Sequence, residues 1–213
     1  MRELKNNPEL IKTELLKIFP NPKCELEYSD PFTLLIAVCL SAQTTDKRVN
    51  EVTPALFKKY PDCMCLSKAN IEDVIEIIKP LGMANQKAKN IINLSKSLVN
   101  NYNSLVPNNM DDLITLPGCG RKTANVILSI AFNIPSIAVD THVSRVSNRL
   151  DLSNEIDPIK IEKDLQNIFD QADWSIMHHL LLLFGRYICK AKKPDCIKCP
   201  FRKYCIKNND WLF

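Results

Sequence analysis

Glycine is scarce in this sequence, with only four in 213 residues, so each one is expected to answer a backbone demand. Long apolar runs are missing as well. The longest, Leu34–Leu40 and Leu180–Phe184, fall far short of the roughly 20 residues that a membrane-spanning helix requires, which excludes a span. No segment shows the two-residue alternation of a half-buried strand. Low-complexity stretches and obvious linkers are also absent. The start of the chain, Met1 to Pro8, has neither the apolar core nor the small-residue cleavage site of a secretory signal. A cytoplasmic protein is therefore expected, nucleoid-associated if bacterial. Without export, the nine cysteines do not form a disulfide framework, because reducing compartments do not sustain one.

With 46% hydrophobic and 24% charged residues, the composition suits one globular domain or two small lobes and excludes disorder. Apolar spacing of three and four, Asn, Asp or Thr caps, and prolines at first helical positions predict an all-α architecture. The expected helices open at Pro8 and Pro31, then run over residues 46–60 (bent at Pro54), 71–79, 84–101, 110–115, 121–132, 141–150, 158–170 and 174–188. The segment through Leu40 is apolar nearly all round and should be central. A faint echo, helix, short glycine turn, helix, recurs at residues 71–92 and 110–127.

Two of the four glycines flank Cys119. The segment Pro117-Gly-Cys-Gly120 joins two apolar-periodic stretches and opens the second helix, whose N-terminal N–H groups and positive dipole end favour an anion such as a DNA phosphate. Such a helix-hairpin-helix grips backbone without reading sequence. Lys122 lies in the first turn of that helix. A lysine must lose its proton to attack a sugar carbon, which at neutral pH costs roughly 4 to 5 kcal/mol. A positive helix end, neighbouring Arg121 and partial burial all push toward the neutral nucleophile. Eighteen residues on, the apolar Ile137-Ala-Val139 ends at Asp140, placed to cap a helix. A fixed carboxylate near a lysine can stabilise cationic sugar character or relay the amine's proton.

Cys189, Cys196, Cys199 and Cys205 form a C-x6-C-x2-C-x5-C array, and four thiolates within 17 residues can enclose one metal centre. Spacing alone leaves a structural zinc and a four-iron cluster both open. Small buried-hydrophobe roles suit most of the other five cysteines, Cys24, Cys39, Cys63, Cys65 and Cys119. Between Cys189 and Lys207 seven bases accompany the single acid Asp195, a local charge of +6 that leaves the rest of this +4 chain at −2. A cationic patch on an otherwise balanced protein fits a polyanionic partner such as nucleic acid.

These motifs, together with Leu40-Ser-Ala-Gln-Thr-Thr-Asp46, Ala138-Val-Asp-Thr-His-Val143 and Gly185-Arg-Tyr-Ile-Cys189, resemble the endonuclease III family of helix-hairpin-helix glycosylases nearly end to end. The resemblance implies a six-helix barrel lobe over residues 22–133. Residues 1–21 and 134–213 would form a second lobe that carries a [4Fe-4S] cluster on the four cysteines. It implies a bifunctional DNA glycosylase and abasic-site lyase acting on double-stranded DNA with oxidised pyrimidines or abasic sites, as a monomer and without a membrane partner. Lys122 would attack C1′ of an extruded nucleotide with help from Asp140, and β-elimination would cut 3′ to the lesion. Gln43 corresponds to the family's void-filling glutamine, and Met83 falls where a leucine wedge is common. Gly118, Gly120, Arg121, Lys193 and Lys198 would also meet DNA. Met83-Ala84 departs from a larger Leu-Tyr type pair, and Phe184 from a frequent histidine. An adenine-mismatch glycosylase would share the hairpin, aspartate and cluster but should lack the lysine and carry a further C-terminal domain. A non-catalytic DNA-binding module is the alternative outside the enzyme class; intact Lys122 and Asp140 argue against it.

Overall fold

A computed structural model describes residues 4–205 and is helical throughout, with no strand among the described residues. Lys207, counted in the basic stretch, lies outside them. The α-helices are α1 Pro8–Ile18, α2 Pro31–Leu40, α3 Asp46–Lys59, α4 Cys63–Ser67, α5 Ile71–Ile78, α6 Ala84–Asn101, α7 Met110–Leu113, α8 Arg121–Phe132, α9 Thr141–Arg149, α10 Pro158–Ile168 and α11 Trp174–Tyr187. All the expected helices are present. Helix α4 has no counterpart among the expected helices, because five residues are too few to display a period; it starts where Asp62 Oδ1 accepts the Cys65 N–H at 2.7 Å. Helix α7 is a single turn, shorter than its apolar pattern suggested. Helix α3 continues through Pro54, whose missing N–H cannot serve the Asn50 carbonyl.

The caps explain why the helices begin where they do. At α2, Asp30 Oδ1 accepts the Thr33 N–H at 2.9 Å while Thr33 Oγ1 accepts the Asp30 N–H at 3.0 Å. Pro31 supplies a pre-set first position. No helix is long and apolar enough to cross a membrane among the described residues.

The chain divides into two compact units. One, Glu25–Ile134, holds α2 to α8. Helix α2 is buried along nearly its whole length and packs against α3, α6 and α8, as an all-round apolar helix must. The other unit combines Met1–Cys24 with Pro135–Phe213. Its core is built from Ile11, Leu15, Val143, Val146, Leu165, Met177, Leu181 and Phe184, each worth about 1.5 to 3 kcal/mol when fully removed from water. Gly185 lets α11 and α9 approach closely, since a Cβ there would stand 2.9 Å from that of His142.

Candidate active site and cysteine loop

Between α7 and α8 the chain turns through Thr115–Gly120, held by Leu116 N–H to the Leu113 carbonyl at 3.1 Å and Cys119 N–H to the Leu116 carbonyl at 3.0 Å. Gly118 adopts φ +81°, and a Cβ there would fall 3.1 Å from both Cβ and Nδ2 of Asn90. Its carbonyl accepts the Cys39 thiol at 3.6 Å. Cys119 is buried, which pushes its thiol up to about 12. The Cys39 thiol is also pushed up, first by the protein around it and then by nearby Cys119. Both stay protonated and serve packing rather than nucleophilic chemistry.

Gly120 differs from the expectation that each glycine meets a conformational demand. Its φ is −85°, ordinary extended backbone, and a Cβ there would touch nothing within 4 Å. What it contributes is the lack of a side chain: it is the N-cap of α8, its carbonyl accepts the Ala124 N–H at 2.9 Å, and no side chain caps the helix. Arg121 and Lys122 occupy the first turn and are exposed, so the partial burial expected of Lys122 is not what the structure has. The lysine thus stands on an anion-favouring helix end.

Asp140 belongs to the other unit. It caps α9, its Oδ1 accepting the N–H groups of His142 and Val143, both at 2.8 Å. Oδ2 stays outside the cap. The preceding Ile137–Val139 are buried and hold the carboxylate at half-burial. One turn along α9, Arg145 donates to the carbonyls of Gly185 at 2.7 Å, Cys189 at 3.0 Å and Thr141 at 3.2 Å. It also lies 3.2 Å from His142 Nδ1. His178 Nδ1 sits 2.8 Å from the Ala138 carbonyl. His179 is buried with Nδ1 unpartnered, and burial lowers its pKa. All three histidines are packed or hydrogen-bonded by their own unit.

The two other positions expected to meet DNA in the Glu25–Ile134 unit, Gln43 and Met83, are both exposed and both left-handed, at φ +55° and +50°. Met83 follows Gly82 at φ +70° and opens α6. Side chains in such turns point where the loop aims them, and strain of this kind gathers at functional positions.

The cysteine loop begins at buried Cys189, whose N–H donates to the Phe184 carbonyl at 2.7 Å. Buried Arg149, from α9, donates to the Cys189 sulfur at 3.3 Å and to the carbonyls of Lys190 at 2.8 Å and Ala191 at 3.3 Å. Phe201 packs edge-on against Phe184, with ring centroids 5.6 Å apart, so Phe184 anchors the loop to the core. Cys199 is pushed up to about 11, mainly by burial, against the Phe201 N–H that bonds it, and further by Cys189, Cys205 and Cys196. Among the described residues, however, no three His, Cys, Asp or Glu groups stand close enough to hold a metal ion. Lys193, at φ +51°, and Lys198 are exposed, with Lys198 Nζ 3.3 Å from Asp195 Oδ2. Of the five scattered cysteines, Cys63 and Cys119 are buried and Cys24 and Cys39 partly so, in line with a packing role for most of them, while Cys65 is exposed.

Arg145, Arg149 and Lys87 carry no functional signal in the sequence. Each reads as an ordinary polar-face residue of an amphipathic helix, and only the fold turns it inward.

Residues 36–171 match the family model described as "HhH-GPD superfamily base excision DNA repair protein". The chain is 48% identical over 189 residues to endonuclease III of Bacillus subtilis, covering 88% of this chain and 86% of that protein. It is also 48% identical to endonuclease III of Rickettsia felis, covering 92% and 93%. A solved structure of a trapped endonuclease III–DNA covalent intermediate, an estranged-adenine complex, superposes with a TM-score of 0.93 at 44% identity, covering 97% of both chains.

Proposed function

From a chain that belongs to the HhH-GPD superfamily of base excision DNA repair proteins, in its endonuclease III family, we infer a bifunctional DNA glycosylase and abasic-site lyase that removes oxidised pyrimidines from duplex DNA. The observation that carries this reading is Lys122, exposed on the first turn of a helix that no side chain caps, directly behind the Gly118–Gly120 turn. A phosphate drawn to that helix end brings its deoxyribose to the lysine.

The neutral Lys122 amine attacks C1′ of the extruded nucleotide, the C1′–N bond breaks, and the base departs with a proton. The Asp140 carboxylate stabilises cationic character at the sugar and relays the amine's proton. Collapse of the sugar ring leaves a Schiff base on Lys122. Loss of a C2′ proton then expels the 3′ phosphate, cutting the strand by β-elimination. Water hydrolyses the imine and frees the lysine. Because the base must leave the stack first, Gln43 and Met83 fill the gap, while Gly118, Gly120, Arg121, Lys193 and Lys198 hold the backbone.

Cys189, Cys196, Cys199 and Cys205 are the residues that hold a [4Fe-4S] cluster in this reading. The donor set, four thiols within 17 residues, suits such a cluster, and the likeness to endonuclease III favours it over the zinc ion that four cysteines could equally hold. When bound, the cluster ties the basic loop into a fixed shape and does not take part in the bond-breaking steps.

Borohydride reduction in the presence of duplex DNA with one oxidised pyrimidine should trap a covalent protein–DNA adduct, with nicking in its absence. A protein that binds this DNA but yields neither adduct nor nick would leave only a backbone-gripping module.

A further inference from the structure

Lys87 lies on α6, one turn after Met83, and is 5% exposed, a rare place for a lysine. Its ammonium donates to Thr44 Oγ1 at 2.7 Å and to the Leu81 carbonyl at 3.1 Å. The Thr44 hydroxyl donates in turn to the same Leu81 carbonyl at 2.7 Å. These bonds close a triangle between the residue that follows Gln43 and the residue that precedes Gly82-Met83. Arg48 Nε adds a bond to the Pro80 carbonyl at 3.3 Å. Burial lowers the pKa of Lys87, so the side chain is held there against its desolvation by these bonds. An apolar side chain would fill the same space without that cost.

The two turns it joins are the left-handed ones. Gln43, Gly82 and Met83 all have positive φ, and both Gln43 and Met83 present exposed side chains. Two strained turns, each aiming a side chain outward, are thus fastened to one another by a single buried cation. Parts already fixed relative to each other lose little further freedom when they engage a target.

We propose that Lys87 is a positioning residue that locks the Gln43 turn to the Met83 turn, so that the two side chains enter an opened base stack as one rigid unit. This rests on the functional reading above, and it adds a residue that touches neither DNA nor the reacting atoms.

Lys87→Met and Thr44→Val remove the strap from its two ends, the second with almost no change of shape. Hydrogen exchange on the DNA-free protein should show amides of residues 42–45 and 82–84 exchanging at least tenfold faster in Lys87→Met, with those of α8 unchanged. In single-turnover assays, excision of a paired lesion should slow at least tenfold. Cleavage at an abasic site, where there is no base to expel, should stay within twofold of the parent. Thr44→Val should repeat the pattern at smaller size, and it carries the test alone should Lys87→Met not fold. Equal losses on the two substrates, or unchanged exchange in both turns, would overturn the proposal. A parent protein inert on both substrates would instead refute the functional reading, leaving the exchange comparison to decide the strap.

Discussion

Gly118 and Gly120 stand two residues apart in one turn, yet substituting them should move stability in opposite directions. Gly118 is held at φ +81° with Asn90 against the face where a Cβ would project. An L-residue in that conformation costs about 1 to 2 kcal/mol. The entropy that alanine removes from the unfolded chain returns about 0.4 to 1 kcal/mol, but Asn90 must also shift, and its Oδ1 already accepts from Gln86 Nε2 at 2.8 Å. The net expectation for Gly118→Ala is a loss of about 1 to 2 kcal/mol, a fall in Tm of about 2 to 8 °C for a chain of this size. Gly120 has extended backbone, open space and the N-cap position. Serine there should cap α8 and raise stability by a few tenths of a kcal/mol. The same hydroxyl would occupy N–H groups that a phosphate needs, so Gly120→Ser should weaken DNA binding while stabilising the protein. Thermal denaturation followed by circular dichroism, with a fluorescence-anisotropy titration of duplex DNA, measures both. Equal stability changes at the two positions, or tighter DNA binding by Gly120→Ser, would refute this account of the turn.

Lys122→Gln should abolish base release and nicking by at least a thousandfold while binding to lesion DNA stays within a few-fold; residual nicking in the purified variant would remove Lys122 as nucleophile. Asp140→Asn keeps an oxygen acceptor for the His142 and Val143 N–H groups, so thermal stability should move little while turnover falls by roughly two orders of magnitude. Near-normal turnover would reduce the residue to a cap. Purified protein should absorb near 400 nm, and Cys199→Ser should lose that band together with solubility, since metal binding and folding are coupled; an unchanged spectrum would contradict the ligand set. His179 has its pKa lowered from 6.5 by burial, so below that value the unfolded chain takes up a proton that the folded one resists. Its contribution is present above pH 6.5 and is lost as pH falls through the folded value. Urea titrations from pH 7.5 to 5 should show this decline, and His179→Phe should flatten it.

How much was legible beforehand is clearest at particular residues. Asp30-Pro31, Asn7-Pro8 and Asp157-Pro158 announce helix starts because capping and proline's fixed φ are local physics, and the structure has helices opening at each. Asp140 as a cap was equally legible. Helix α4 was not, since one turn carries no period. Gly120 departs from a conformational necessity, since a sequence does not distinguish a glycine needed for positive φ from one needed for its missing side chain. Phe184, a departure on paper, turns out to be the buried partner of Phe201.

The amino-acid sequence by itself determined the helical class, the helix starts, the glycine turn ahead of Lys122 and the four-cysteine array, because caps, periods and ligand spacing act over a few residues of chain. Tertiary structure alone decided that Lys87 would turn inward to bind Thr44, that Arg149 would reach the Cys189 sulfur 40 positions away, and that Gly118 would lie against Asn90. Those contacts join segments whose separation along the chain leaves no local trace, and only the packing of one helix on another brings them within hydrogen-bonding or van der Waals reach.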